Sequence, residues 1–263
     1  MIGSPRRAGA SAAQPRELSS RHLVLALTAA MLAVPVRAGP PFQTDDPGIV
    51  PRGHSEALVF YQQTLTEDGR SGVLPGLELH HGPIENLELD LVIPIAFHTP
   101  PGEQTRRGYG DTELGLKYGL VQETDATPRV GFAPKLDLPT GNADRGLGNG
   151  GAALFLPIWI QKTYGALGAY GGGGYWINRG ADNRNYWFVG GVVGYRITDR
   201  WLVGAELFHT TPQTIDQRSS TGFNAGGTFQ VTEHAQWLFS AGRAVRNRET
   251  NRVSSYLGCQ LSF

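Results

Sequence analysis

The sequence predicts an all-β protein: a transmembrane antiparallel up-and-down β-barrel of about twelve strands. Three observations lead there. Stretches of the chain alternate apolar and polar residues with period two. The links between those stretches alternate short and long. An export signal near the start is matched at the far end by an alternating strand that closes on an aromatic residue, Phe263.

The clearest alternation runs from Leu87 to Phe97. Leu87, Leu89, Leu91, Ile93, Ile95 and Phe97 occupy one face, and Glu88, Asp90, Val92, Pro94 and Ala96 the other. At a rise of about 3.3 Å per residue and a tilt near 40°, the run climbs roughly 27 Å, close to the ~25 Å apolar band of an outer-membrane barrel. A half-buried strand of a soluble sandwich would read the same in isolation, so the rest of the chain has to decide.

At the N-terminus, Arg21 and His22 precede an apolar run from Leu23 to Val36, and Val36 and Ala38 are small residues at the two cleavage-site positions. A run of about 14 residues suits a secretory signal and is too short to span a bilayer as a helix. The expected organisation is therefore a signal peptide over 1–38, an N-terminal periplasmic segment over 39–52, and a barrel over 53–263. Residues 1–38 hold five of the 23 basic residues and one of the 23 acidic ones, leaving 18 against 22, a net charge of −4. That balance gives no case for nucleic acid as a partner. Glycine, at 36 residues, is about twice as common as usual. Cys259 is the only cysteine, so an exported fold must stand without an internal disulfide.

In order, the alternation places strands near 54–63, 73–81, 87–97, 109–120, 128–138, 152–161, 166–177, 186–197, 201–209, 222–230, 235–244 and 253–263. Short links at 82–86, 122–127, 162–165, 198–200 and 231–234 are interleaved with mostly longer, more polar ones such as 98–108, 139–151, 178–185 and 210–221. Transmembrane barrels have tight periplasmic turns and long outer loops. Leu114, Leu116, Tyr118 and Leu120 oppose Asp111, Glu113, Gly115 and Lys117, and Phe132, Leu136 and Leu138 oppose Arg129, Lys135 and Asp137. Charges on the minority face would be costly in a dry core and are tolerated in a wet lumen. The faces of the first, sixth, seventh and eleventh strands stay ambiguous, and Pro75, Pro94, Pro134 and Pro157 fall inside strands, where each removes a ladder donor. Aromatics gather at strand ends: Tyr118, Tyr164, Trp201 and Trp237 near the short turns, and Phe97, Tyr109, Tyr186, Trp187, Phe208 and Phe223 near the long loops. Two interfacial girdles would look like this.

Several segments together resemble a proteobacterial family of outer-membrane transporters named for the meta-cleavage pathway of phenol degradation. They are the run from Pro40 to Pro47, Gly53 with His54, the run from Gly108 to Tyr118, the run from Leu138 to Gly141, and the run from Phe239 to Arg243. The resemblance implies a barrel in the bacterial outer membrane and a role in moving small organic compounds. It names no substrate and no catalytic residue.

Chemical motifs are few. Residues 146–151 match the glycine spacing of a dinucleotide loop, but a strand follows where a helix would be required. His80 and His81 are adjacent and so point to opposite faces. No cofactor or metal motif is present in the sequence. The candidate lumen-lining residues are Glu88, Asp90, Asp111, Glu113, Lys117, Arg129, Lys135 and Asp137, on strands about 4.8 Å apart, where opposite charges can brace or filter a lumen. Twelve strands should enclose a narrow lumen.

The leading expectation is passive uptake of small, apolar or aromatic compounds. The alternatives are a lipid-acting barrel enzyme built on His209 with Ser219 or Ser220, and a structural barrel without transport. Expected partners are outer-membrane lipid, a small organic solute, and the assembly machinery that reads the C-terminal strand ending in Phe263.

Overall fold

The computed structural model of the protein describes Met1 and residues 41–263; the signal peptide and the cleavage near Ala38 fall outside the described residues. Fourteen strand segments form one antiparallel sheet. In chain order they are β1 (Ser55–Thr66), β2 (Gly69–Ile84), β3 (Leu87–Thr99), β4 (Arg106–Tyr109), β5 (Thr112–Val121), β6 (Arg129–Phe132), β7 (Lys135–Leu138), β8 (Ala153–Tyr164), β9 (Leu167–Asn178), β10 (Tyr186–Arg196), β11 (Trp201–Thr210), β12 (Ser220–Thr232), β13 (Ala235–Arg246) and β14 (Val253–Ser262). β4 and β5 both run along β3, and β6 and β7 both bridge β5 to β8, so each pair is one interrupted strand. Fourteen segments thus make twelve wall strands. β1 pairs with β2 on one side and with β14 on the other, from Glu56 opposite Ser262 to Leu65 opposite Val253. Closure leaves no unpaired edge, which is what lets a sheet sit in lipid.

The outer face is apolar. Leu89, Ile95, Leu114, Leu116, Leu156, Ile158, Ile160, Val189, Leu207 and Leu257 are all exposed, while alternate residues such as Glu88, Lys117, Trp159, Val192, Glu206 and Leu238 are buried within. A belt of exposed leucine and isoleucine is a liability in water and the normal surface in a bilayer.

The links separate by end. Residues 85–86, 122–128, 165–166, 197–200 and 233–234 lie at the end that holds Ser55 and Phe263 (the turn end), and 100–105, 139–152, 179–185, 211–219 and 247–252 at the other (the loop end). One connection departs from the expected pattern. β1 and β2 extend to a two-residue turn at Glu67 and Asp68, because the polar stretches 64–66 and 69–72 pair with each other instead of looping out.

The prolines now have places. Pro94 accepts a hydrogen bond from the Gly110 amide (3.0 Å), at the gap between β4 and β5. Pro157 accepts from Ala133 (3.4 Å), at the gap between β6 and β7. In an antiparallel strand a residue's N–H and C=O point to the same neighbour, so each missing proline donor faces a break in the adjoining strand. Pro134 lies in the second gap itself, with its carbonyl accepting from Leu116. Pro75 sits in a bulge, where the β2 register jumps from Val73 to Gly76.

Of the aromatics at strand ends, Tyr118, Tyr164, Trp201, Trp237, Tyr109, Trp187 and Phe223 are exposed on the outer face. Phe97, Phe208 and Tyr186 depart from that arrangement: Phe97 is buried, stacked on Tyr61 at 6.5 Å. Phe208 shares the inward face of β11 with Glu206, and its ring covers Gly222, where a Cβ would lie 2.4 Å from a ring atom. Tyr186 stacks on Trp176 at 5.8 Å.

Candidate functional site

Two stretches of the lumen wall, β8–β11 and β2–β7, are dissimilar. On β8 to β11 the inward face carries an aromatic cluster, beside Gln161, Val192 and Glu206: Phe155, Trp159, Phe188 and Phe208 are buried together with Ala133, and Trp176 packs on them. Phe155 stacks on Trp176 at 4.7 Å, Trp159 meets Phe188 edge-on at 6.2 Å, and Phe188 stacks on Phe208 at 6.3 Å. Offset and edge-to-face pairs of this kind add to the burial of the rings themselves.

On β2, β3, β5 and β7 the inward residues are charged. His80 Nδ1 lies 2.7 Å from Asp90 Oδ1 and 3.4 Å from Glu88 Oε1, and its Nε2 lies 3.4 Å from Glu78 Oε1. Lys135 Nζ is 3.4 Å from Glu113, and Lys117 Nζ is 4.0 Å from Glu88. His80, Glu88 and Asp90 offer three ligand atoms within 4.8 Å of one another and are the set that could hold a metal ion among the described residues. The same atoms are engaged in hydrogen bonds and ion pairs among themselves.

Between the walls lies the N-terminal segment, residues 41–50. The sequence placed it on the periplasmic side; the contacts place it within the barrel. The amides of Gln43 and Thr44 donate to the two oxygens of Glu206 (3.2 and 2.6 Å), and the Val50 amide donates to Glu88 Oε2 (2.5 Å). Asp45 accepts from Lys117 Nζ (3.0 Å), Asp46 accepts from the Gly48 amide, and Pro41 O accepts from the Ser240 hydroxyl (2.6 Å). An irregular strand inside a barrel has no sheet partner, so its donors need acceptors from elsewhere. Wall carboxylates and the segment's own aspartates supply them.

Glycines make the room. A Cβ on Gly190 would fall 2.0 Å from Thr44 Oγ1, and one on Gly131 would fall 2.9 Å from Pro47. Burial alone would raise Asp45, but the ammonium groups of Lys117 and Lys135 outweigh it and hold the carboxyl at about 2. Burial dominates for Asp46 and pushes it up to about 6, against the pull of Lys117.

A cavity of about 840 Å³ remains beside the segment. Glu78, His80, Asp90, Glu113 and Lys135 line one side, and Gln62, Thr64, Asn224, Gln236, Ser254 and Gln260 another, with Phe42, Phe60, Trp176 and Tyr256 among its rings. Of the eight residues singled out in the sequence, Glu88, Asp90, Glu113, Lys117, Arg129 and Lys135 line this cavity. Asp111 does not: its carboxylate accepts the amides of Gly141 (2.8 Å) and Asn149 (2.5 Å) and ties down the 139–152 link. Asp137 pairs in register with Glu113 and Ala153 nearer the loop end, away from the cavity lining. Glu78, His80, Asp45, Asp46 and Glu206 escaped the sequence reading. Glu78 and His80 could have been found, since they alternate with Leu77 and Leu79 on the second strand.

At the loop end, the glycine-rich stretch 146–151 is a folded link. Leu147 is buried against Gly108, Asn149 Nδ2 donates to Asn178 Oδ1 (2.7 Å), and Asn183 Nδ2 donates to Asn149 Oδ1 (2.7 Å). His209 and Ser220, on paired strands, point to opposite faces of the wall. His209 Nδ1 meets Thr221 Oγ1 at 2.8 Å on the outward face, while the Ser220 hydroxyl donates to Arg246 O on the inward one.

Residues 43–263 match the model of the family described as the "MetA-pathway of phenol degradation". An outer membrane channel from Pseudomonas putida F1 has a similar fold, with a TM-score of 0.69 at 19% identity over 86% of this chain and 100% of that one. The KdgM porin, solved with oligogalacturonate, gives 0.55 at 11% identity over 78% of this chain and 99% of that one. The NanC porin gives 0.54 at 10% over 79% and 98%. No curated protein matches the sequence significantly.

Proposed function

The chain belongs to the family described as the MetA-pathway of phenol degradation, and on that premise we propose that it is an outer-membrane channel admitting small organic compounds, aromatic ones among them, by passive diffusion. The observation that carries this reading is the cavity of about 840 Å³ inside a closed barrel whose outer face is apolar. Phe42, Phe60, Trp176 and Tyr256 give that cavity ring surfaces against which an apolar or aromatic solute can pack. The likeness of the barrel to the Pseudomonas putida channel agrees with it.

The outer belt of leucine, isoleucine and valine supports residence in the outer membrane, with lipid as its immediate partner. The strand Val253–Ser262, followed by Phe263, supports recognition by the assembly machinery. Uptake of small aromatic solutes by a deletion strain, with and without the restored gene, tests the function. A rate unchanged by the gene for every solute tried would sink it.

A further inference from the structure

The cavity is unequally charged. Among the described residues seven carboxylates line it, those of Asp45, Asp46, Glu56, Glu78, Glu88, Asp90 and Glu113, against three fixed cations, Lys117, Arg129 and Lys135. The balance is −4 with His80 neutral and −3 with it protonated. The lysines are already occupied: Lys117 is held by Asp45 at 3.0 Å, and Lys135 by Glu113 at 3.4 Å and Asp45 at 3.8 Å. The excess negative charge therefore gathers on the β2–β3 side, where Glu78, Glu88 and Asp90 surround the single imidazole of His80. Facing the same space is the stacked pair Phe60 and Tyr256, with centroids 5.7 Å apart.

We propose that the lumen is selective for cations, and that small organic cations, an ammonium group on an apolar or aromatic body, are the solutes it passes best. Walls of low dielectric focus the field of fixed charges into a narrow lumen, and rings of Asp and Glu make cation pathways. A solute in a cavity this size stays within about 8 Å of the wall charges, the screening length at physiological ionic strength. Ring faces attract cations and repel anions, so the aromatic lining and the carboxylates favour the same sign. The proposal deepens the channel reading and rests on it.

Purified barrel in planar bilayers tests both separately. Zero-current potentials are measured in a KCl gradient, and then with trimethylphenylammonium chloride and with potassium benzenesulfonate, two ions of similar size and opposite charge. The wild-type protein should favour the cation in each case by about threefold or more. Glu78→Gln with Asp90→Asn should bring that ratio towards one. Lys135→Gln should raise it, a change in the opposite direction that a merely damaged barrel would not produce. Heat-dependent migration on gels establishes that each variant is folded. A wild-type potential of zero or of the anionic sign overturns the selectivity while leaving the channel. Ratios unmoved by both variants overturn the assignment to these residues, and a barrel that carries no current overturns the channel reading itself.

Discussion

Two stretches of the lumen wall, four strands each, solve the same problem in opposite ways. The β8–β11 wall turns apolar residues to both sides: Leu156, Ile158 and Ile160 meet lipid, and Phe155, Trp159, Phe188 and Phe208 fill the interior. Its inward face is a packed core, with Trp159 only 1% exposed. The β2–β7 wall turns leucines outward and charges inward, and it leaves space. The N-terminal segment lies between and is fastened to both, through Glu206 on one side and through Glu88 and Lys117 on the other. One stretch is therefore a packed core, and the other borders the cavity. A narrow barrel becomes narrower by packing one wall, and on the proposed channel reading the charged wall sets what passes.

The contrast can be broken most forcefully at Trp159. If the aromatic wall is a true core, Trp159→Ala should cost about 3–5 kcal/mol in urea unfolding of the detergent-solubilised barrel. A loss below about 1 kcal/mol would mean that the wall is not close-packed. Next comes the fastening between the two stretches. Glu206→Ala strips acceptors from the Gln43 and Thr44 amides and from Asn224, and should cost about 1–3 kcal/mol. Single-channel conductance should rise with it, and unchanged conductance would show that the segment does not narrow the path.

A third test uses pH. Asp46, raised to about 6, favours the seated segment below its unfolded value near 3.8, and that contribution is lost as pH climbs through 6. Asp45, held at about 2, contributes above 3.8 and fails only as pH falls towards 2. Acidifying from pH 7 to 5 should therefore tighten the segment by about 1 kcal/mol. A nitroxide placed by Gln43→Cys in a Cys259→Ser background should become less mobile, and Asp46→Asn should abolish the change. The smallest effect belongs outside the lumen. Arg252 and Glu67 pair at 3.5 Å in the open, and Arg252→Ala should lower the unfolding free energy by about 0.5 kcal/mol or less.

The same contrast explains what could be read from the chain. Period-two alternation needs faces of different polarity, and the third to fifth wall strands have them, so their strands and faces were legible, as were twelve strands and a family. On the sixth and seventh, Phe155, Trp159 and Tyr170 point inward beside outward Leu156, Ile158 and Leu167; both faces are apolar and the alternation disappears. Pro94 and Pro157 were opaque for another reason. Their missing donors matter only against the gap in the neighbouring strand, and no local pattern shows that gap. Asp111 had the right face and the wrong duty, because its partners, Gly141 and Asn149, are about thirty residues or more away. The segment at 41–50 lacks any alternation, and its place is set by acceptors on distant strands.

Those distances bear on the order of assembly. Pro41 is held by Ser240, 199 positions along the chain, and Gln43 and Thr44 by Glu206, more than 160 positions along. The first described part of the chain thus has no seat until strands near the last have formed. Contacts of such separation carry a large loop-closure cost and form late. This stretch can therefore take its seat only against a wall that already includes β11 and β13.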